Sequence, residues 1–251
     1  MLITNSKELM SMYEDLRSGD VYAGKPAAGG LNHFILIDLL ERGVVCVPSP
    51  LSQVLNGSKV AQTLFLNRWM LPNTLVISRR KNLLDAVGLY NREKTGPVVT
   101  KEDRMHCGHG IRKWDSIETL YSFVSMSESS YPFILQPYVD GFTDLRVIIA
   151  GDYAEAYARD NPDNFRMNLA SGGASRPVEL DADKERFCRT AMERGKFPYA
   201  HIDVMAVPDG KYYLSEIALN GGIKGARIKR AELEQKKQAI AERLIREYKR
   251  H

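Results

Sequence analysis

Apolar positions along the chain alternate between the spacing of helices and that of strands, and the two regimes divide the sequence unevenly. Residues 7–17 (KELMSMYEDLR) put Leu9, Met10, Tyr13 and Leu16 on one side of a short helix that Ser18-Gly19-Asp20 stops. Val21-Tyr22 reads as a strand, and Gly24 to Gly30 as a loop. Phe34, Ile37, Leu39 and Leu40 then mark a helix closed by Gly43, and residues 44–47 (VVCV) a short buried strand. Ser58 is placed to cap a helix running to about Trp69, with Pro72 beyond its end. A strand at 75–78, a helix at 82–90, a strand at 98–101 and a polar loop at 102–110 follow. After them come a helix at 115–127 and an apolar strand at 133–139. Residues 145–159 form a hairpin that turns at Gly151-Asp152. Residues 181–195 form a helix with acids in its first turn and Gly195 just past its end. The last helix carries Leu233, Ile240, Leu244 and Tyr248 on one stripe, with Glu232–Lys236 and Glu242–Arg246 at supporting spacing.

Strands and helices alternate in the first third, and antiparallel hairpins dominate later. The expected fold class is therefore α+β with a short α/β opening part. The expected divisions are residues 1–58, 59–136, 137–228 and a basic helix at 229–251.

The stretch from His201 to Gly225 is the most informative. Its two strands are joined at Asp209-Gly210, a dipeptide suited to a two-residue turn. Counting back from that turn sets Asp203 directly opposite Glu216. Two carboxylates so placed repel one another, so they either pair with cations or hold a metal; the alternative is a plain surface hairpin. An oxygen-only set with Asn220 nearby suits magnesium better than zinc.

Composition adds exclusions. The chain has 251 residues, 44% hydrophobic and 26% charged, which places it among ordinary globular proteins. No apolar run has the length of a membrane span, and the start lacks the features of a secretory signal. Cys46, Cys107 and Cys188 are odd in number and widely spaced, which fits reduced thiols in a cytoplasmic protein. The net charge of +4 lies in the segment after Ile228, leaving a near-neutral body without the basic, aromatic-laced face of a nucleic-acid reader.

Lys101 ends an apolar strand beside a loop bearing Gly108 and Gly110, a setting suited to a nucleotide phosphate or to a solvated strand end. Arg146, Arg159, Arg166 and Asn168 lie on or near the middle strands. Phosphoryl transfer rests on several cations and a metal rather than on one reactive side chain.

These pieces occur in an order that resembles the ATP-grasp ligases, and most closely the ribosomal-protein glutamate ligase branch. NGSKVAQTLFLNRWMLPNT resembles the family's entry into the central domain. VVTKEDRMHCGHGI resembles its strand, lysine and glycine lid, with Met105 in place of the usual first glycine. LQPYV resembles the adenine-reading hinge, AYARDNPDNFRMNLASGGA the phosphate-binding stretch, and HIDVM with EIALN the two metal-ligand strands.

The resemblance implies an ATP-grasp fold and an ATP- and Mg²⁺-dependent carboxylate–amine ligase, with Mn²⁺ as an alternative ion. It implies that the reaction runs through an acyl phosphate with an amino acid or peptide substrate. ATP would be held by Lys101, Gly108, Gly110, Gln136, Pro137, Tyr138, Val139, Asp144, Arg166 and Asn168. The metal would be held by Asp203, Glu216 and Asn220. Arg146 and Arg159 would orient the reacting groups, and His201 stands where related ligases have an arginine. The family's Glu-x-Asn is broken by Ala218, which leaves Asn220 as the substitute. The N-terminal part, residues 1–58, resembles only the second half of the usual substrate domain, which implies a domain either trimmed or completed by a partner subunit; a homo-oligomer or a partner subunit is the expected assembly. A phosphotransferase, or a nucleotide-binding interaction module with a weakened metal site, is the alternative reading.

Overall fold

The computed structural model describes residues 1–105, 109–124, 131–161 and 174–249. The chain opens with a parallel three-stranded sheet in the order β1-β2-β3. Its strands β1 (Leu2–Ile3), β2 (Val21–Ala23) and β3 (Val45–Val47) are linked by α1 (Ser6–Ser11) and α2 (Asn32–Glu41). The single helix expected over 7–17 stops at Ser11, and a 3₁₀ turn at Tyr13–Asp15 follows it.

Two helices then lead into the body. The first, α3 (Pro50–Gly57), begins at a Ser49 cap with proline at its start and was not expected from periodicity. The second, α4 (Lys59–Leu66), is capped by Ser58, whose hydroxyl accepts from the Ala61 N–H. A four-stranded antiparallel sheet follows, in the order β4-β7-β5-β6. It contains β4 (Leu75–Ile77), β5 (Val98–Glu102), β6 (Ile111–Trp114) and β7 (Phe133–Pro137), and α5 (Arg80–Arg92) and α6 (Ile117–Val124) pack on its outer face. Strand β6, whose two central residues are charged and exposed, gave no periodic signal.

The third sheet holds five antiparallel strands in the order β10-β9-β8-β11-β12. These are β8 (Thr143–Ala150), β9 (Tyr153–Asp160), β10 (Ala174–Val178), β11 (Tyr199–Ala206) and β12 (Tyr212–Ala218). One face carries Leu145, Val147, Ile202, Val204 and Leu214 into the main core, against α3, α4 and α7 (Ala182–Gly195). The last helix, α8 (Arg230–Tyr248), covers part of the opposite face through Leu233 and Ile240. The rest of that face is charged.

Three local expectations need correction. The α7 helix includes Gly195, and Lys196 takes the left-handed turn with φ +54°. Gly195 is needed for space instead, because a Cβ there would lie 2.7 Å from the Phe197 ring. The ion pairs along α8 are Arg230–Glu234, Lys237–Glu234 and Arg243–Glu247 rather than the two expected. The β11–β12 turn holds three residues, Pro208, Asp209 and Gly210. The Val207 N–H donates to the Lys211 carbonyl, and Gly210 sits at φ +84°. That longer turn would slip the register by one residue. A bulge at Ser215 restores it, so Asp203 still pairs with Glu216.

Candidate active site

Strand alternation gathers the charged groups. On β8, Asp144 and Arg146 share a face; Arg159 of β9 is opposite Asp144, and Asp203 of β11 is opposite Arg146. Glu216 of β12 lies beyond Asp203. One sheet face therefore presents Arg159, Asp144, Arg146, Asp203 and Glu216 in neighbouring positions.

The acids do not face each other unscreened. Arg146 binds Asp203 through two nitrogens, with Nη2 2.9 Å from Oδ2. Arg159 Nη2 lies 3.0 Å from Asp203 Oδ2 and 2.7 Å from Asp144 Oδ2. Burial would raise the Asp203 carboxyl, but the two guanidiniums overcome it and hold the group below the usual carboxylate range. Asp144 moves the other way, because burial and the Asp203 charge outweigh Arg159. Among the described residues the buried Arg159 Nε has no partner.

The four-stranded sheet faces this surface with Lys101 of β5. Lys101 Nζ donates to Ser215 Oγ at 3.2 Å, so the bulge aims a hydroxyl at it. Burial depresses the Lys101 ammonium, with Glu216 opposing and Lys59 reinforcing the shift. Gln136 is buried on the same sheet face, and a narrow cleft runs between Lys59, Met70, Lys101, Ile134, Gln136 and Ser215. In the following segment the Tyr138 N–H is donated to the Pro97 carbonyl, and Lys113 stacks on the Tyr138 ring at 3.6 Å. Pro137 ends β7, and Val139 follows as a half-buried residue.

Sequence reasoning missed Lys59. It is buried, donates from Nζ to the Met105 carbonyl, and places Nζ 3.8 Å from Glu216 Oε1. The signal was available: a cation in the first turn opposes the helix dipole. The segment just after β5 is held by Asp103, whose carboxylate accepts from the Ser58 hydroxyl and, at 3.0 Å, from the Val60 N–H. Gly110, just before β6, sits at φ +73°, where a Cβ would lie 2.8 Å from Glu102 Cβ. Gly108, Arg166 and Asn168 lie outside the described residues.

One expected metal ligand is placed elsewhere, and His201 lies on the charged sheet face, two residues before Asp203 on β11. Asn220 is exposed, and its Oδ1 accepts from Lys237 Nζ at 2.7 Å, so it does not join Asp203 and Glu216. His201 is buried, and among the described residues neither ring nitrogen has a hydrogen-bond partner. Burial first, then the Lys237 and Arg146 charges, push it down to about 3, so it is uncharged at neutral pH. Its cross-strand partner is Ala218, so the two departures from the family pattern face each other.

Among the described residues no group of three His, Cys, Asp or Glu side chains is placed to hold a metal. Asp203 and Glu216 alone supply a two-carboxylate, oxygen-only set. That fits Mg²⁺, which keeps water and takes phosphate oxygens for its remaining positions. No helix among the described residues is long and apolar enough to cross a membrane. Cys46 and Cys188 are free and buried, and Cys107 lies outside the described residues.

Residues 56–244 match the RimK-like ATP-grasp domain family. Among curated proteins, the coenzyme γ-F420-2:α-L-glutamate ligase of Methanococcus maripaludis is 29% identical, over 71% of this chain and 64% of its own length. The α-aminoadipate–LysW ligase LysX of Saccharolobus solfataricus is 25% identical, over 64% of this chain and 60% of its own. The chain thus spans somewhat less than two thirds of the length of these relatives. Among solved structures, the D-alanine–D-alanine ligase of Bacillus anthracis superposes with a TM-score of 0.66 at 18% identity, covering 97% of this chain and 86% of that one. The ATP-grasp ligase PsnB, in complex with a minimal precursor, Mg and ADP, gives 0.60 at 16% identity, covering 90% and 78%. These likenesses show the fold alone; in this chain Lys101 lies on the four-stranded sheet and the charged face on the five-stranded one.

Proposed function

The chain belongs to the RimK-like ATP-grasp family, and we propose that it is a carboxylate–amine ligase that splits ATP to ADP and phosphate while joining an amino acid to an amino acid or peptide substrate. The observation that carries this reading is the convergence of Lys59, Lys101, Arg146 and Arg159 with Asp203 and Glu216 between two facing sheets. Such a surface neutralises phosphate and positions it.

Nucleotide phosphates bind Lys59 and Lys101, with Arg166 and Asn168 completing the set. The base lies along Gln136–Val139, and the loop bearing Gly108 and Gly110 closes over it and excludes water. Arg146 and Arg159 exchange Asp203 for the incoming anionic oxygens, which frees the Asp203 carboxylate. Asp144, expected among the residues that hold ATP, keeps its pairing with Arg159 and orients that guanidinium. The substrate carboxylate attacks the γ-phosphorus and ADP leaves, giving an acyl phosphate. The amine then attacks the acyl carbon, phosphate departs with the C–O bond electrons, and the amine loses a proton. Mg²⁺ held by Asp203 and Glu216 would offset the charge of the phosphates. His201, being neutral, shapes the substrate end rather than neutralising charge. The reaction belongs in the cytoplasm, where ATP is supplied.

The test is incubation with ATP, Mg²⁺ and pooled amino acids and peptides. ADP release should accompany a product whose mass equals two substrates less one water, and both should vanish in Glu216→Ala. Nucleotide binding without any such product would favour an interaction module.

A further inference from the structure

The buried stripe of α8 is interrupted by a charge. Leu233, Lys237 and Ile240 recur at helical spacing and are exposed by 0%, 5% and 7%. An ammonium in such a place is retained only where its donors are taken up. Lys237 Nζ donates to Asn220 Oδ1 at 2.7 Å and to Glu234 Oε1 at 3.4 Å, and lies 5.2 Å from the centre of the Tyr199 ring. Glu234 is a neighbour on the same helix and half exposed. The bond to Asn220 is the one that ties α8 to another part of the chain.

Asn220 opens a strap that leaves β12 and crosses the sheet beside the charged face. Gly221 lies against His201 of β11, the Gly222 carbonyl meets β8 and β9, and Gly225, at φ +99°, lies against Ser175 of β10. Three consecutive residues of the strap are each held. Lys237 takes Asn220, and the Gly221 carbonyl accepts from Arg230 Nη2 at 3.2 Å. The Gly222 carbonyl accepts from Arg146 Nη1 at 3.2 Å and from the Tyr157 hydroxyl at 3.3 Å. A Cβ at Gly221 would fall 3.0 Å from the His201 ring and 3.1 Å from Arg146 Nη1, so the bare backbone rests on both. The first two holds come from α8, and the third reaches a guanidinium of the candidate active site.

Arg146 commits Nε and Nη2 to Asp203 and Nη1 to Gly222. In the ligase reading, on which this inference rests, anionic oxygens take over the first two donors and Asp203 is freed. The Gly222 carbonyl is then the anchor that stays, among the described residues. A guanidinium is planar, so fixing one N–H fixes the direction in which the others point. We infer that Lys237 is a positioning residue: through Asn220 it pegs the strap to α8, and the strap's Gly222 carbonyl aims Arg146 at the oxygens of the reacting groups. Arg230 is the second peg. The same peg keeps Asn220 away from Asp203 and Glu216.

Lys237→Met keeps the length of the side chain and restores the apolar stripe. Burial works against the Lys237 ammonium, so the melting temperature should hold or rise. ADP release at saturating ATP, Mg²⁺ and pooled substrates should nevertheless fall about ten- to a hundredfold, with the KM for ATP within about twofold of the wild type. Asn220→Ala should give the same loss, and the double variant no further loss. A merely structural role would lower melting temperature and rate together. Hydrogen exchange over residues 219–225, with ATP and Mg²⁺ present, reads the strap apart from turnover, and both variants should exchange there about tenfold faster or more. Unchanged exchange, an undiminished rate, or losses that add in the double variant would overturn the inference. A wild type that binds ATP without forming product would refute the ligase reading and the role in turnover with it, whereas unchanged exchange refutes the peg whatever the turnover.

Discussion

Replacing His201 with asparagine removes a buried group that titrates in the unfolded chain and not in the folded one. Its ordinary value is 6.5, and the fold lowers it to about 3 through burial and through Lys237 and Arg146, with Asp203 opposing. Below pH 6.5 the unfolded chain binds a proton that the native state refuses until about pH 3. Stability is therefore intact above pH 6.5 and falls as pH drops through that value. The slope is about 1.4 kcal/mol per pH unit, so the loss reaches about 2 kcal/mol at pH 5. Urea denaturation of the wild type and His201→Asn at pH 7.5, 6 and 5 reads the difference. Neutral asparagine carries no such penalty, so the gap between the two should narrow, or shift in favour of the variant, by about 2 kcal/mol between pH 7.5 and 5. Parallel losses in both proteins would show that His201 gains its proton as easily in the fold as out of it, and would refute the buried neutral imidazole.

Other consequences follow from the same geometry. Lys101→Met removes a cation whose burial is unfavourable, so thermal unfolding should show a gain in stability while nucleotide affinity, read by calorimetry, falls at least tenfold. Asp203→Asn leaves Arg146 and Arg159 without their shared carboxylate, and should cost about 3–5 kcal/mol in denaturant unfolding as well as turnover. Asp103→Ala releases the segment after β5 from the start of α4, and should cost about 1–2 kcal/mol of stability and raise the KM for ATP more than it lowers kcat.

Much of the fold was legible where one period dominates. Helices α5 and α8 each bury one regular face, and the β8–β9 hairpin shows instead as two runs split at Gly151-Asp152, since both faces of its strands are largely covered. Strand β6 and strand β10 were not legible, since each is an edge strand with mostly exposed side chains and no alternating burial to betray it. The Asp203–Glu216 pairing was predicted correctly from a turn one residue too short, because the Ser215 bulge compensates. Such a bulge leaves no mark in hydrophobic pattern. That Asp144 and Arg146 share a face was legible as alternation, but the capture of Asp203 by Arg146 and Arg159 was not, because it depends on strand order across the sheet. Lys59 and Lys237 show a signal worth reading: a lysine in a first helical turn, and a lysine four residues after Leu233 on an apolar stripe, are each out of place unless buried for a reason.

The central claim is that this site activates a carboxylate as an acyl phosphate, and trapping with hydroxylamine tests it most directly. With ATP, Mg²⁺ and pooled carboxylates, hydroxylamine takes the place of the amine, and hydroxamate should form in equal amount with ADP, both being lost in Glu216→Ala. ADP released without hydroxamate, or AMP and pyrophosphate in place of ADP, would contradict the account.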